Sequence, residues 1–121
     1  MTENVLLQIF TPEKTFLNKK VYRVVLPYGK TNLTMIEDRA PTSLVLHSGV
    51  LQILDENDQV VESYFIDGGV VDFADNVCKI STLHIIKKSH IDIAQAQEMI
   101  EKEPFNASYY EMIAHYLQSF E

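Results

Sequence analysis

The apolar side chains of this chain change period once, and that change limits the possible folds more than any other feature. Up to about residue 85 they come in short β-branched runs, broken every eight to twelve residues by a turn signal; beyond His84 they recur at helical spacing. A strand turns alternate side chains to opposite faces, whereas a helix repeats every 3.6 residues, so one chain carries both patterns in succession. Val5, Leu7 and Ile9 alternate with Leu6 and Gln8, and Val21, Tyr22, Arg23, Val24, Val25 and Leu26 run into Pro27. Residues 43–46 and 50–53 flank His47, Ser48 and Gly49, a segment suited to a tight turn. The polar cluster at 55–58 joins residues 51–54 to residues 60–66 as a hairpin would. Gly68 and Gly69 lead into Val70, Val71, Asp72 and Phe73, and Ala74, Asp75 and Asn76 turn the chain into residues 77–82. The fold class expected is mainly β with an α tail: an antiparallel β-sandwich or flattened barrel, then a two-helix hairpin.

In the tail, Asp92 can cap a helix, with Gln95 three residues on as its capping-box partner. Ile93, Ala96, Met99 and Ile100 then share one face, and Pro104 stops the helix. Ser108 with Glu111 offers a second capping box. Behind it Tyr109, Ile113, Tyr116, Leu117 and Phe120 form one apolar stripe, expected to pack back on the first helix or the sheet. The helices are expected over 92–103 and 108–120. The chain divides into a β-sandwich domain, residues 1–86, and a helical hairpin, residues 87–121.

The formal net charge of -7 is spread along the chain, with seven basic against eleven acidic residues in 1–85 and three against six beyond. This argues against nucleic acid as a partner, because phosphate neutralisation needs a basic patch, and against an electrostatic grip on anionic lipid. The run from Val5 to Phe10 is too short for a signal segment or a membrane span, and a lone cysteine gives no disulfide framework, so a reducing compartment is expected. His47, His84, His90 and His115 are scattered and read as surface residues, not as metal ligands. Cys78 sits in an alternating strand without a neighbouring base and reads as core. Gly68-Gly69 lacks the spacing and the following helix of a dinucleotide loop, so it marks a bulge or a close backbone approach. No catalytic residue, metal or cofactor site is expected.

The ordered set of landmarks resembles the epsilon subunit of F-type ATP synthase. Leu7-Gln8-Ile9-Phe10-Thr11-Pro12-Glu13 opens the chain, with Phe16 shortly after. Residues 21–27 stand where that family has a strand running into a glycine-rich loop, and Ala40-Pro41 takes the place of its His-Ala-Pro element. Residues 46–53 around Gly49 match a strand pair of the family sandwich; residues 66–71 and 76–82 match its double glycine and last strand. The departures are specific. Thr31 and Thr34 stand where glycine is common, Glu37 where proline is usual, and Arg39 where histidine is usual. Some family members bind ATP through an Ile/Leu-Asp-x-x-Arg-Ala element, which here reads Ile91-Asp92-Ile93-Ala94-Gln95-Ala96. Gln95 replaces the cation that would pair with phosphate, so no ATP binding by the tail is expected. Both helices are short for the family, and Lys102 is the only lysine or arginine after Lys88.

The resemblance implies a non-catalytic rotor subunit that couples proton translocation through the membrane c-ring to ATP synthesis. It implies the gamma subunit and the c-ring as partners, with alpha and beta subunits reached through the tail and a weak regulatory role for that tail. The location implied is peripheral, on the cytoplasmic face of a bacterial plasma membrane, with no direct insertion. By position, Gly29, Lys30, Thr31 and Asn32 are the candidate c-ring contacts, and Arg39, Ala40 and Pro41 the candidate stalk contacts. Tyr109, Ile113, Tyr116, Leu117 and Phe120 form the candidate packing face of the tail. Two other classes fit the residues less well. An unrelated β-sandwich adaptor would grip its partner through the tail stripe and lose binding without residues 105–121. A small enzyme would need a reactive Cys78 or histidine.

Overall fold

The computed structural model describes residues 3–119. The strands are β1 (Val5–Phe10), β2 (Thr15–Val21), β3 (Arg23–Tyr28), β4 (Thr31–Ile36), β5 (Thr42–Leu46), β6 (Gly49–Leu54), β7 (Val60–Ile66), β8 (Gly69–Ala74), β9 (Val77–Ser81) and β10 (Ile85–Lys87). Two helices follow, α1 (Ile93–Lys102) and α2 (Ala107–Ser119). The strands form two five-stranded sheets, ordered β2-β1-β9-β8-β5 and β10-β7-β6-β3-β4. Pairing among the described residues is antiparallel except between β1 and β9, where Leu7 lies beside Cys78 and Ile9 beside Ile80.

The alternation in the sequence decides which face of each sheet turns inward. Val5, Leu7 and Ile9 of β1, Val71 and Phe73 of β8, and Cys78 and Ile80 of β9 point into one cluster from the first sheet. Val24 and Leu26 of β3, Leu51 and Ile53 of β6, and Tyr64 and Ile66 of β7 meet them from the second. Two sheets packed this way stand about 10 Å apart. Cys78 is fully buried here, as expected, and burial pushes its thiol up to about 12.

Three local expectations are revised. Residues 43–46 and 50–53 are not paired with each other: β5 pairs with β8, while β6 lies between β3 and β7. The turn at His47–Ser48 therefore carries the chain across the core, and Leu46 and Leu51 face it from opposite sheets. The segment after Pro27 is not an extended loop. Gly29 and Lys30 alone form the turn, and Thr31 and Asn32 already belong to β4, paired with Tyr28 and Pro27. The second helix is not capped by Ser108. A 3-10 turn over Pro104–Asn106 runs directly into Ala107, which places Ser108 inside the first turn.

The first helix starts as expected. The Asp92 carboxylate accepts the Gln95 amide N–H at 2.7 Å, and the Gln95 side-chain oxygen accepts the Asp92 N–H at 2.9 Å. α1 is one residue shorter at each end than the expected 92–103. Of the tail stripe, Tyr109 and Ile113 are fully buried and Tyr116 and Leu117 partly so, packed against Phe65, Val50 and Ile86 of the second sheet and against α1. Phe120 lies outside the described residues. The sequence reading missed Tyr110 and Ala114, which are also buried in this second cluster, beside Ala96, Met99 and Ile100.

The double glycine is a close approach. A Cβ on Gly69 (φ +135°) would stand 2.1 Å from the Ser81 carbonyl oxygen on the neighbouring strand. Backbone cannot yield there as a flexible side chain could, and the dihedral itself excludes most L-residues. Gly69→Ala should destabilise the chain by about 3 kcal/mol, read from the urea midpoint; a loss below about 1 kcal/mol would contradict this packing.

A second prediction concerns alkaline pH. Burial raises Tyr64 and Tyr109 above the ordinary tyrosine value of 10.0, and Cys78 above its ordinary 9.0. Each group stays protonated in the folded chain while the unfolded chain ionises. Stability is therefore complete below pH 9 and falls as pH rises above it, by about 1.4 kcal/mol per pH unit for each group ionised only in the unfolded state. Urea unfolding at pH 8, 10 and 11 tests this, and a level profile to pH 11 would refute it.

Candidate docking surfaces

The sequence pointed to two short exposed segments, and β4 separates them. One is the β3–β4 turn and the other the connection after Ile36, so the six residues of β4 hold them roughly 20 Å apart at opposite ends of the sandwich. They are distinct surfaces.

At the first end, Gly29 adopts φ +62° and Lys30 does not take a positive φ, the pattern of a two-residue hairpin turn with glycine leading. The turn is held from the side. The Gly29 N–H donates to His47 Nδ1 at 2.9 Å, and the Tyr28 ring meets the His47 ring edge-on at 6.3 Å. Gly29, Lys30, Thr31 and Asn32 also line a cleft of about 530 Å³ whose opposite wall is α2, through Met112, His115 and Tyr116. Nothing local in the chain signals this neighbour, because 80 or more residues separate the two walls.

At the other end, the Arg39 guanidinium turns back onto the protein. It donates to the Thr34 carbonyl at 3.1 Å and to the Thr42 hydroxyl at 3.3 Å, which leaves Ala40 and Pro41 as the exposed part of the segment. The preceding Asp38 (φ +63°) is fixed by Asn76, whose side-chain oxygen accepts the Asp38 N–H at 2.7 Å. Pro41 and Thr42 open onto a depression of about 660 Å³ shared with β8 and β9. Beside it Val45 and Val70 are cross-strand partners, 69% and 45% exposed.

The two sheets thus differ on their outer faces. Tail residues cover Phe65, Val50 and Ile86 of the second sheet, while the first sheet shows Val45 and Val70 to solvent. Alternation in β5 and β8 carries this signal, since the chain neighbours of the inward-facing Leu44, Leu46 and Val71 must face outward.

Of the residues considered for chemistry, Gln95 is committed to its capping box. His84 is not a free surface histidine: it is half-buried, 3.1 Å from the Asp67 carboxylate and stacked on Tyr109. Among the described residues no three His, Cys, Asp or Glu side chains gather as metal ligands, and no helix is long and apolar enough to cross a membrane.

Comparison with known proteins agrees with this architecture. Residues 4–88 match the family model of the ATP synthase delta/epsilon chain β-sandwich domain. The chain is 26% identical to the ATP synthase epsilon chain of Pelagibacter ubique over 88% of its length and 82% of that protein. It is 27% identical to that of Leptospira borgpetersenii over 84% of its length and 80% of that protein. The fold is shared with a chain of the Euglena gracilis mitochondrial ATP synthase (TM-score 0.71, 16% identity, 93% of this chain and 76% of that one). It is shared also with a chain of the Tetrahymena thermophila mitochondrial ATP synthase central stalk and c-ring (TM-score 0.61, 16% identity, 93% and 98%). The chain belongs to the ATP synthase delta/epsilon family, the non-catalytic subunits of the central stalk of F-type ATP synthase.

Proposed function

We propose that this chain works as the epsilon subunit at the foot of the rotor, bound to the gamma subunit and resting on the c-ring. The family match over the whole sandwich carries this reading, and the surfaces support its details. The β3–β4 turn, with Gly29, Lys30, Thr31 and Asn32 at its tip, is the ring-facing element. A two-residue turn braced by His47 is short and stiff, and its polar tip suits a wet, hydrogen-bonded junction. The gamma-facing element is Ala40, Pro41 and the bare sheet face continuing past the Ser43–Asp72 pair to the exposed valines Val45 and Val70. Arg39 serves this end from within, by holding its connection in shape.

Torque transfer needs stiffness, and a sandwich whose two sheets share one close-packed apolar core supplies it. The work is coupling, with the reaction at the beta subunits and proton flow through the ring. The protein acts on the cytoplasmic face of a bacterial plasma membrane, held there by its partners. The tail regulates weakly at most. It is docked on the sheet, its helices are short, and its only lysine or arginine beyond Lys88, Lys102, is paired with Glu98.

A pull-down with tagged full-length chain from native membranes tests the reading, with partners identified by mass spectrometry. Gamma, c, alpha and beta subunits should come down together; an unrelated partner, with no synthase subunit from membranes that contain them, would move the chain to an adaptor role. Val45→Glu and Val70→Glu should each weaken capture of purified gamma by about tenfold or more, while a chain ending at residue 104 should still bind it. Wild-type affinity in both glutamate variants would place the gamma surface elsewhere. Nucleotide is not a ligand of the tail in this reading: titration calorimetry with millimolar MgATP should give no binding isotherm, and a saturable one would overturn that point.

A further inference from the structure

Asp38 (φ +63°), Asp75 (φ +51°) and Asn76 (φ +61°) all take a left-handed backbone, and they meet at the end of the sandwich that carries Ala40 and Pro41. L-residues adopt this region only where their surroundings hold them, and strain of this kind gathers at binding surfaces. Asp75 and Asn76 form the two-residue turn between β8 and β9, closed by the Ala74–Val77 pair. Asn76 also joins two other segments to that turn. Its carbonyl accepts the Leu6 N–H of β1 at 2.8 Å. Its side-chain oxygen accepts the Asp38 N–H at 2.7 Å, and its side-chain amide donates to the Asp38 carboxylate at 3.3 Å. On the far flank the Thr42 hydroxyl donates to the Ala40 carbonyl at 2.9 Å while accepting from Arg39. Ala40 and Pro41 are therefore exposed between two held neighbours.

We infer that Asn76 is a positioning residue for the gamma subunit: its side chain locks Asp38 in the left-handed conformation and so presets Ala40 and Pro41 in the shape that binds. The inference rests on the gamma-facing role proposed above. A four-residue turn reverses the chain after β4, with the Arg39 N–H donating to the Ile36 carbonyl at 3.2 Å. Asp38 is its third residue, and a turn with positive φ there ordinarily carries glycine or asparagine. With aspartate in that place the turn needs an outside hold, and Asn76 supplies it from a hairpin tied to β1. Once the hold is gone, Asp38 can relax to a negative φ, and that one dihedral redirects Arg39, Ala40 and Pro41. The free chain then spreads over several shapes, and its affinity falls with the fraction that stays competent. Arg39 and Thr42 still restrain the segment from the other flank, so the loss is partial.

The test is Asn76→Gly in the full chain, read by NMR on the free protein and by binding to purified gamma. Asp-Gly is a favoured sequence for a two-residue hairpin turn, so the β8–β9 turn survives while the side-chain contacts go. Exchange at the Asp38 amide should quicken by about tenfold or more. The order parameters of Arg39 and Ala40 should fall from about 0.85 to about 0.6 or lower, and gamma should bind about tenfold more weakly. Asn76→Asp keeps an oxygen for the Asp38 N–H but sets two carboxylates together. It should lie between wild type and the glycine variant in all three readings, and it serves if the glycine variant does not fold. Weaker gamma binding with the segment still rigid would make Asn76 a direct contact and overturn the inference, as would a loosened segment at wild-type affinity. Val45→Glu separates this from the surface reading. If it weakens capture and Asn76→Gly does not, the positioning role fails; if neither does, the gamma surface lies elsewhere and the surface reading fails, taking the positioning role with it.

Discussion

Three consecutive buried residues in β7 hold the molecule together. Tyr64 and Ile66 point into the core between the sheets, while Phe65 between them points outward into the cluster beneath the helices. A strand buried on both faces belongs to two cores at once. Through this one strand the sandwich and the tail share a backbone: a shift of β7 would disturb the packing of Phe73 and Ile80 on one side and of Tyr109 and Ile113 on the other. Glu62 and Lys87 mark where this double burial ends and solvent begins, with Lys19 reaching across from the other sheet to the same carboxylate at 3.4 Å.

The parts of the fold legible in the sequence are those where one face of an element meets one environment. Val5, Leu7 and Ile9 announce a half-buried strand because the period of two survives intact, and Asp92 with Gln95 announces a helix start because the cap is local. The strands that went unread lie at sheet edges. β2 carries Lys19 and Lys20 and β4 opens with Thr31 and Asn32, polar residues that keep an edge from pairing with other chains and also hide it from a hydrophobic pattern. Sheet membership was not legible either. A two-residue link between residues 46 and 49 suits a hairpin, and only the three-dimensional competition for β8 and β3 sends β5 and β6 to different sheets.

The functional surfaces show the same division. The turn and the Arg39–Pro41 segment could be placed by position, because they are continuous in the chain. Their surroundings could not, because His47 lies 18 residues from Gly29 and 17 residues part Asp67 from His84. The sequence showed Arg39 in place of a usual histidine but not its use. With its guanidinium bound to the Thr34 carbonyl and the Thr42 hydroxyl, it works as an internal brace.

The sole cysteine of the chain, Cys78, is sealed in the core between β1 and β8 with its thiol held protonated. The natural sequence is thereby already a silent background for thiol chemistry. A cysteine placed at Lys30, Ala40 or Phe105 would be the only one a maleimide dye or a disulfide crosslinker could reach. Distances between rotor parts, and the moment at which they change, could then be followed one position at a time in an otherwise unaltered protein.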